Sequence, residues 1–319
     1  MLKTAYRSLL CLVLAATAIS GCSETDIQPL RLGTNVWPGY EPLYLAREIG
    51  KLPGDKIKLV EYPSASEVIR AFRNRALEAA SLTLDEVLML VQDDIPVKVI
   101  LVHDISNGAD TILARPGIES MQDIHNKRVA VESSALGAFM ISRALELHAL
   151  SIADIDIRHL EVNAHEQAYL DNEVDVVVNF EPVRTRLLNQ GANEIFSSRE
   201  IYGEIVDVMV VHEDIYENRK DVIGRVVKDW FSALAYFDSN QNKAAAIMAK
   251  RLNVSPDEVI AGFDGLELPD EQQNSTMLGG EKPSLELTIA RLEKVLKENG
   301  LISNDTLIPD ILCADFIQN

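Results

Sequence analysis

Apolar positions recur along the chain with two periods, near 2 and near 3.6 residues, and the switching between them predicts strands and helices in alternation. Residues 30–35, 57–61, 79–83 and 97–102 read as strands, and 42–49, 68–77 and 87–92 as helices. Two of these helices carry start signals, Ser64 with Glu67 and Thr83 with Glu86, at the spacing of a capping box. A second cycle follows the turn Arg115-Pro116-Gly117, with strands at 127–131, 155–160 and 174–178 and helices at 135–147 and 164–170. Pro182 sits where a helix takes its first residue. One more strand, 207–211, precedes a largely helical remainder at 219–237, 241–252, 256–262 and 284–299. The ordering is α/β. Two such cycles without a polar linker predict two lobes, joined by strand crossings near residues 109–113 and 204–208.

Ahead of the first strand the pattern differs. Lys3 and Arg7 precede an apolar run, 9–19, about half the length that spans a bilayer, so it reads as a signal peptide. It ends in Ala18-Ile19-Ser20-Gly21-Cys22, which resembles a bacterial lipobox with Cys22 as the lipidation site. An ordinary secretory cut nearby would instead leave Cys22 a plain thiol. The expected organisation is a lipoprotein signal peptide at 1–21, a tether at 22–29, a first part of lobe 1 at 30–112, lobe 2 at 113–206, and a return to lobe 1 with C-terminal helices at 207–319. The expected location is the cell envelope, with the chain lipid-anchored on the periplasmic or extracellular side of a membrane.

Charge narrows the range of partners. The formal net charge of −19 becomes two units more negative if Lys3 and Arg7 are removed, which argues against nucleic acid. A hydrophobic content of 47% still supports a substantial core. With Cys11 in the removed segment and Cys22 lipidated, Cys313 has no disulfide partner and reads as a small core hydrophobe. No phosphate loop, Gly-x-Ser-x-Gly elbow, His-x-x-x-His or Cys-x-x-Cys pair is present, and no cofactor or metal is expected. His159 and His165, the nearest histidine pair, read as solvated surface.

In open α/β sheets ligands lie beyond the carboxyl ends of strands. That rule collects Asn35, Trp37 and Tyr40, then Thr83 and Asp85, then Asp104, Ser106, Asn107 and Asp110, from the first cycle. From the second it collects Glu132, Ser133, Ser134, Asn179, Phe180 and Glu181. Several also suit helix starts: Thr83, Asp85, Ser133 and Ser134 as caps, Glu181 beside a helix dipole. In the stretch NVWPGYEPLY, Pro38 and Gly39 bend the chain so that Trp37 and Tyr40 can face a cleft; the competing arrangement puts one ring in the core.

Read in order, Asn-Val-Trp-Pro-Gly-Tyr, Leu45-Ala46-Arg47-Glu48, Thr83-Leu84-Asp85-Glu86, Asp104 to Asp110 and Val178-Asn179-Phe180-Glu181-Pro182 resemble the periplasmic binding proteins for nitrate, alkanesulfonates, taurine and thiamine-pyrimidine precursors. The resemblance covers roughly residues 30 to 260. It implies a type II periplasmic-binding-protein fold, a small-molecule ligand between the lobes, delivery to the permease of an ABC importer, and a monomer. Carried over by position, it makes Trp37 and Tyr40 an aromatic wall, Asn35 with Thr83 or Asp85 polar contacts, Ser133 or Ser134 a helix start for an anionic end, and Glu181 a carboxylate for an amino group. Asp110 and Asn179 complete the expected site. Phe180 stands where many relatives carry tryptophan. The acids outnumber any cation within these motifs, so an amine-bearing ligand fits better than nitrate or sulfonate. Arg115 and Arg184 are near enough in sequence to reverse that balance. A sensor for a membrane kinase would share the fold; a precursor synthase would not be expected to carry an export signal.

Overall fold

A computed structural model describes residues 28–132 and 135–317. The expected signal peptide, Cys22, Ser133 and Ser134 lie outside the described residues. The strands are β1 (Leu30–Thr34), β2 (Ile57–Glu61), β3 (Ala79–Thr83), β4 (Val97–Ser106), β5 (Asp110–Ala114), β6 (Arg128–Val131), β7 (Asp156–His159), β8 (Val176–Phe180), β9 (Asn193–Ser197), β10 (Val206–His212) and β11 (Leu266–Glu267). They form two mixed sheets, one ordered β11-β4-β10-β3-β1-β2 and one ordered β7-β6-β8-β5-β9. β1 pairs in parallel with β2 and β3, as β6 does with β7 and β8, while β10 and β5 run antiparallel to their neighbours. The chain leaves the first sheet after β4, enters the second at β5, and returns from β9 to β10.

Helices cover both sheets: α1 (Glu41–Glu48), α2 (Ala65–Arg73), α3 (Leu84–Gln92), α4 (Ala135–Leu147), α5 (Val162–Leu170) and α6 (Val183–Asn189), then six more between Glu213 and Glu298. Ser64 caps α2, its hydroxyl accepting the N–H of Glu67 at 3.3 Å. The Glu86 carboxylate takes the Thr83 N–H at 3.1 Å at the start of α3. Burial at every position of β3 and β10 reflects helices on both faces.

Differences from the sequence reading have local causes. β9 is an edge strand with polar, half-buried residues, so it shows no clear alternation. The helix Glu271–Leu278 is largely polar and lacks an apolar stripe. β4 continues to Ser106, so Asp104 and Ser106 lie within a buried strand and not beyond its end. His165 is not on the surface: it is buried, and its ring nitrogens lie 3.0 Å from the Val178 carbonyl and 3.1 Å from that of Leu160. His159 is exposed, and Cys313 is buried as expected of a core thiol.

Candidate functional site

The carboxyl ends of β1, β3, β6 and β8, with the amino ends of β5 and β10, face each other across a cavity of about 20 Å³, room for roughly one water. The first lobe contributes Asn35, Trp37 and Tyr40 from the β1–α1 connection, Ala65 from α2, Thr83 and Glu86 at the start of α3, and Asp207 from β10. The second contributes Asp110 from β5, Glu132 after β6, Leu136 from α4 and Phe180 at the end of β8. Four carboxyl groups, two from each lobe, therefore line a space in which no lysine or arginine takes part.

Both rings of the opening motif reach this cavity. Trp37 donates its indole N–H to Asp104 at 3.1 Å and meets Phe180 edge-on, with ring centres 5.5 Å apart. The Tyr40 hydroxyl donates to Asp207. Gly39 permits this packing, because a Cβ there would lie 1.9 Å from an Asp104 carboxylate oxygen and 2.5 Å from the Trp37 indole nitrogen. Gly39→Ala is accordingly expected to break the Trp37–Asp104 hydrogen bond, lowering stability by about 1–3 kcal/mol. Chemical denaturation followed by tryptophan fluorescence checks this; an unchanged midpoint and emission maximum would contradict it.

Burial dominates the electrostatics. It pushes the Asp110 carboxyl up to about 7 and Asp85 up to about 6, although the Ser106 and Thr83 hydroxyls oppose the respective shifts. Glu86, Asp104 and Asp207 are raised well above the carboxylate range, by burial first and then by neighbouring acids. Behind Tyr40 the His103 ring, 2.9 Å from the Ser81 hydroxyl, is held down to about 3 by burial and stays neutral. Among the described residues, Glu86 Oε1 and Asp110 Oδ2 are buried without a hydrogen-bond partner.

Three hydrogen bonds tie the lobes together beside the cavity. The Ser64 hydroxyl donates to Glu161 at 2.7 Å, and Ser66 donates its hydroxyl at 2.8 Å and its N–H at 3.2 Å to Glu132. Glu132 thus lines the cavity and joins the lobes at once.

Asn35, Trp37, Tyr40, Thr83 and Asp110 come together at the cavity, and Asn179 lines a second one adjoining it. Asp85 is buried nearby but not in the wall; Glu86, one residue on, is. Glu181 lies elsewhere. It accepts from Arg184 at 3.0 Å and from the hydroxyl and N–H of Thr185 at 2.9 and 3.2 Å, at the start of α6, so its carboxylate is occupied within its own lobe. Neither nearby arginine reaches the cavity: Arg184 also pairs with Glu194 at 2.7 Å, and Arg115 stacks over Tyr169 and bonds the Val174 carbonyl. The sequence pattern does not single out Glu86, which reads as part of a capping box, or Asp207, which reads as a strand residue. The signal for Asp207 was available in Val-Asp-Val-Met-Val-Val, an acid inside an aliphatic strand.

Two α/β lobes, crossed twice by the chain and closed over a polar cavity, define a protein of the periplasmic-binding-protein fold. Within that class the chain belongs to the NMT1-like family, whose model matches residues 24–253. No curated protein sequence matches it. Among solved structures, the alkanesulfonate-binding protein SsuA from Xanthomonas axonopodis pv. citri, bound to MOPS, is 15% identical with a TM-score of 0.73, over 90% of this chain and 97% of that one. The periplasmic aliphatic sulphonate binding protein SsuA from Escherichia coli is 18% identical with a TM-score of 0.70, over 89% and 96%. A zinc-bound ligand-binding component of an ABC-type import system from Staphylococcus aureus is 13% identical with a TM-score of 0.73, over 91% and 98%. Among the described residues no group of three or more His, Cys, Asp or Glu side chains could hold a metal ion, and no helix is long and apolar enough to cross a membrane.

Proposed function

We propose that this protein is an extracytoplasmic solute-binding protein, lipid-anchored through Cys22, that captures a small amine-bearing molecule between its lobes and delivers it to the permease of an ABC importer. The observation that carries the ligand class is the wall of four carboxyl groups, Glu86, Asp110, Glu132 and Asp207, without a lysine or arginine beside them. An ammonium group would satisfy the open oxygens of Glu86 and Asp110 and stabilise the ionised form of acids that burial otherwise keeps protonated. Trp37, Tyr40 and Phe180 supply ring faces and edges for the cation or a flat substituent. A sulfonate, bound by the SsuA neighbours, would find no lysine or arginine in the same wall to pair with.

The closed cavity has room for little more than water, so loading requires the lobes to part. The connections between β4 and β5 and between β9 and β10 are the places for that rotation. The Ser64–Glu161 and Ser66–Glu132 bonds would then re-form over the ligand. Native mass spectrometry of freshly purified protein, with calorimetric titration of whatever is retained, tests the reading. An organic cation in the retained mass is expected; a retained sulfonate or other anion displaced by MOPS would overturn the amine assignment.

A further inference from the structure

A second cavity, also about 20 Å³, lies beside the first and deeper in the second lobe. The two share Asp110, Glu132, Leu136 and Phe180 as a common wall. Past that wall the lining turns apolar, with Gly137 and Met140 from α4, Val162 from the start of α5 and Val178 from β8. One polar side chain interrupts it. Asn179 is 2% exposed, and its Oδ1 accepts the N–H of Phe180 at 2.8 Å, which sets the orientation of the amide. Its Nδ2 has no hydrogen-bond partner among the described residues. A buried amide donor left without an acceptor is costly and therefore marks a place where an acceptor is expected.

Resting on the reading of the first cavity as a cation site, we propose that the second is a subsite for the rest of the same ligand, a short aliphatic arm carrying a neutral oxygen that Asn179 Nδ2 holds. The acceptor is a hydroxyl or carbonyl and not a carboxylate, because Asp110 and Glu132 stand in the adjoining wall. The ligand class is thus narrowed from amines in general to amines joined through a few methylenes to a neutral acceptor, such as amino alcohols or amino amides. Met140, unbranched and adaptable, is the lining side chain suited to move as the arm enters.

Calorimetric titration of the full chain with methylamine, propylamine and 3-amino-1-propanol tests this. Propylamine is expected to bind about fifteenfold tighter than methylamine, since each of its two additional methylenes contributes roughly fourfold when buried. The amino alcohol is expected to gain about tenfold more through Asn179. Asn179→Leu should erase the preference for the amino alcohol and leave the propylamine-to-methylamine ratio intact. The wild-type order of affinities needs no variant and stands even if Asn179→Leu does not fold. Equal affinity for the three amines, or an amino-alcohol preference that survives Asn179→Leu, would overturn the subsite and leave the cation reading standing. If none of the amines binds at millimolar concentration, the cation reading fails and the subsite with it.

Discussion

The double substitution Glu86→Gln and Asp110→Asn is expected to weaken binding of an organic cation by at least about 100-fold while making the empty protein more stable. Each carboxylate would otherwise give the ligand a charge-assisted hydrogen bond worth about 1.5–3 kcal/mol, or roughly ten- to hundredfold in affinity. In the empty protein the same groups are liabilities, since Glu86 Oε1 and Asp110 Oδ2 are buried with nothing to bond. The amide at position 86 can still accept the Thr83 N–H through its oxygen, so the start of α3 is preserved. Opposite signs for binding and stability separate a ligand site from a structural cluster, in which both would fall. Calorimetry with propylamine and thermal melts of the empty protein at pH 8 provide the two readings; unaltered affinity, or a lower melting temperature, would sink the assignment.

Raising the pH is expected to loosen the empty protein. Burial lifts the carboxyl of Asp110 from 3.8 to about 7 and that of Asp85 from 3.8 to about 6, and the closed state therefore holds protons that an open or unfolded chain would release. Between roughly pH 4 and 7 these two groups bind more protons in the closed state than in its competitors, so stability falls as pH rises through that window. At about 1.4 kcal/mol per unit, Asp110 alone corresponds to roughly 4 kcal/mol, an upper bound because parting of the lobes lets water reach the carboxylate. Asp104, Asp207 and Glu86 shift in the same direction and reinforce the trend, whereas His103, held neutral by burial, opposes it in global unfolding below about pH 6.5, where the unfolded imidazole takes up a proton; the acids outnumber it. Small-angle scattering should show a larger radius of gyration for the empty protein at pH 8 than at pH 5, and melts should show a lower transition temperature. A bound cation should remove most of the difference. A profile and a melt indifferent to pH would mean that the acids are solvated and the cavity is not closed without ligand.

The local pattern carried most of the architecture. Ser64 with Glu67 marked the start of α2, and the short β3 and the aliphatic run of β10 were visible because a strand buried on both faces needs small or apolar residues at nearly every position. Asn35, Trp37, Tyr40, Thr83 and Asp110, all picked out beside strands in the sequence, meet in one cavity, although Asp110 begins β5 and does not follow β4 directly. Elements stabilised by position more than by composition were hidden: the edge strand β9 and the polar helix Glu271–Leu278.

The sequence by itself determined the α/β class, the bend at Pro38-Gly39 between Trp37 and Tyr40, and an excess of acids near strand ends, because each is written in neighbouring residues. Only the tertiary structure decided which acids face the cavity. Asp85 and Glu86 are adjacent on a helix that turns about 100° per residue, so the docking of α3 places Glu86 in the wall and leaves Asp85 behind it. Glu181 ends a strand like the others, yet Arg184 and Thr185 engage it within its own lobe. Asp207 joins the site through Tyr40, a partner 167 positions away that no local period can announce. Hydrogen bonds over such separations depend on where the sheets place their strands, and that placement follows from packing the whole core.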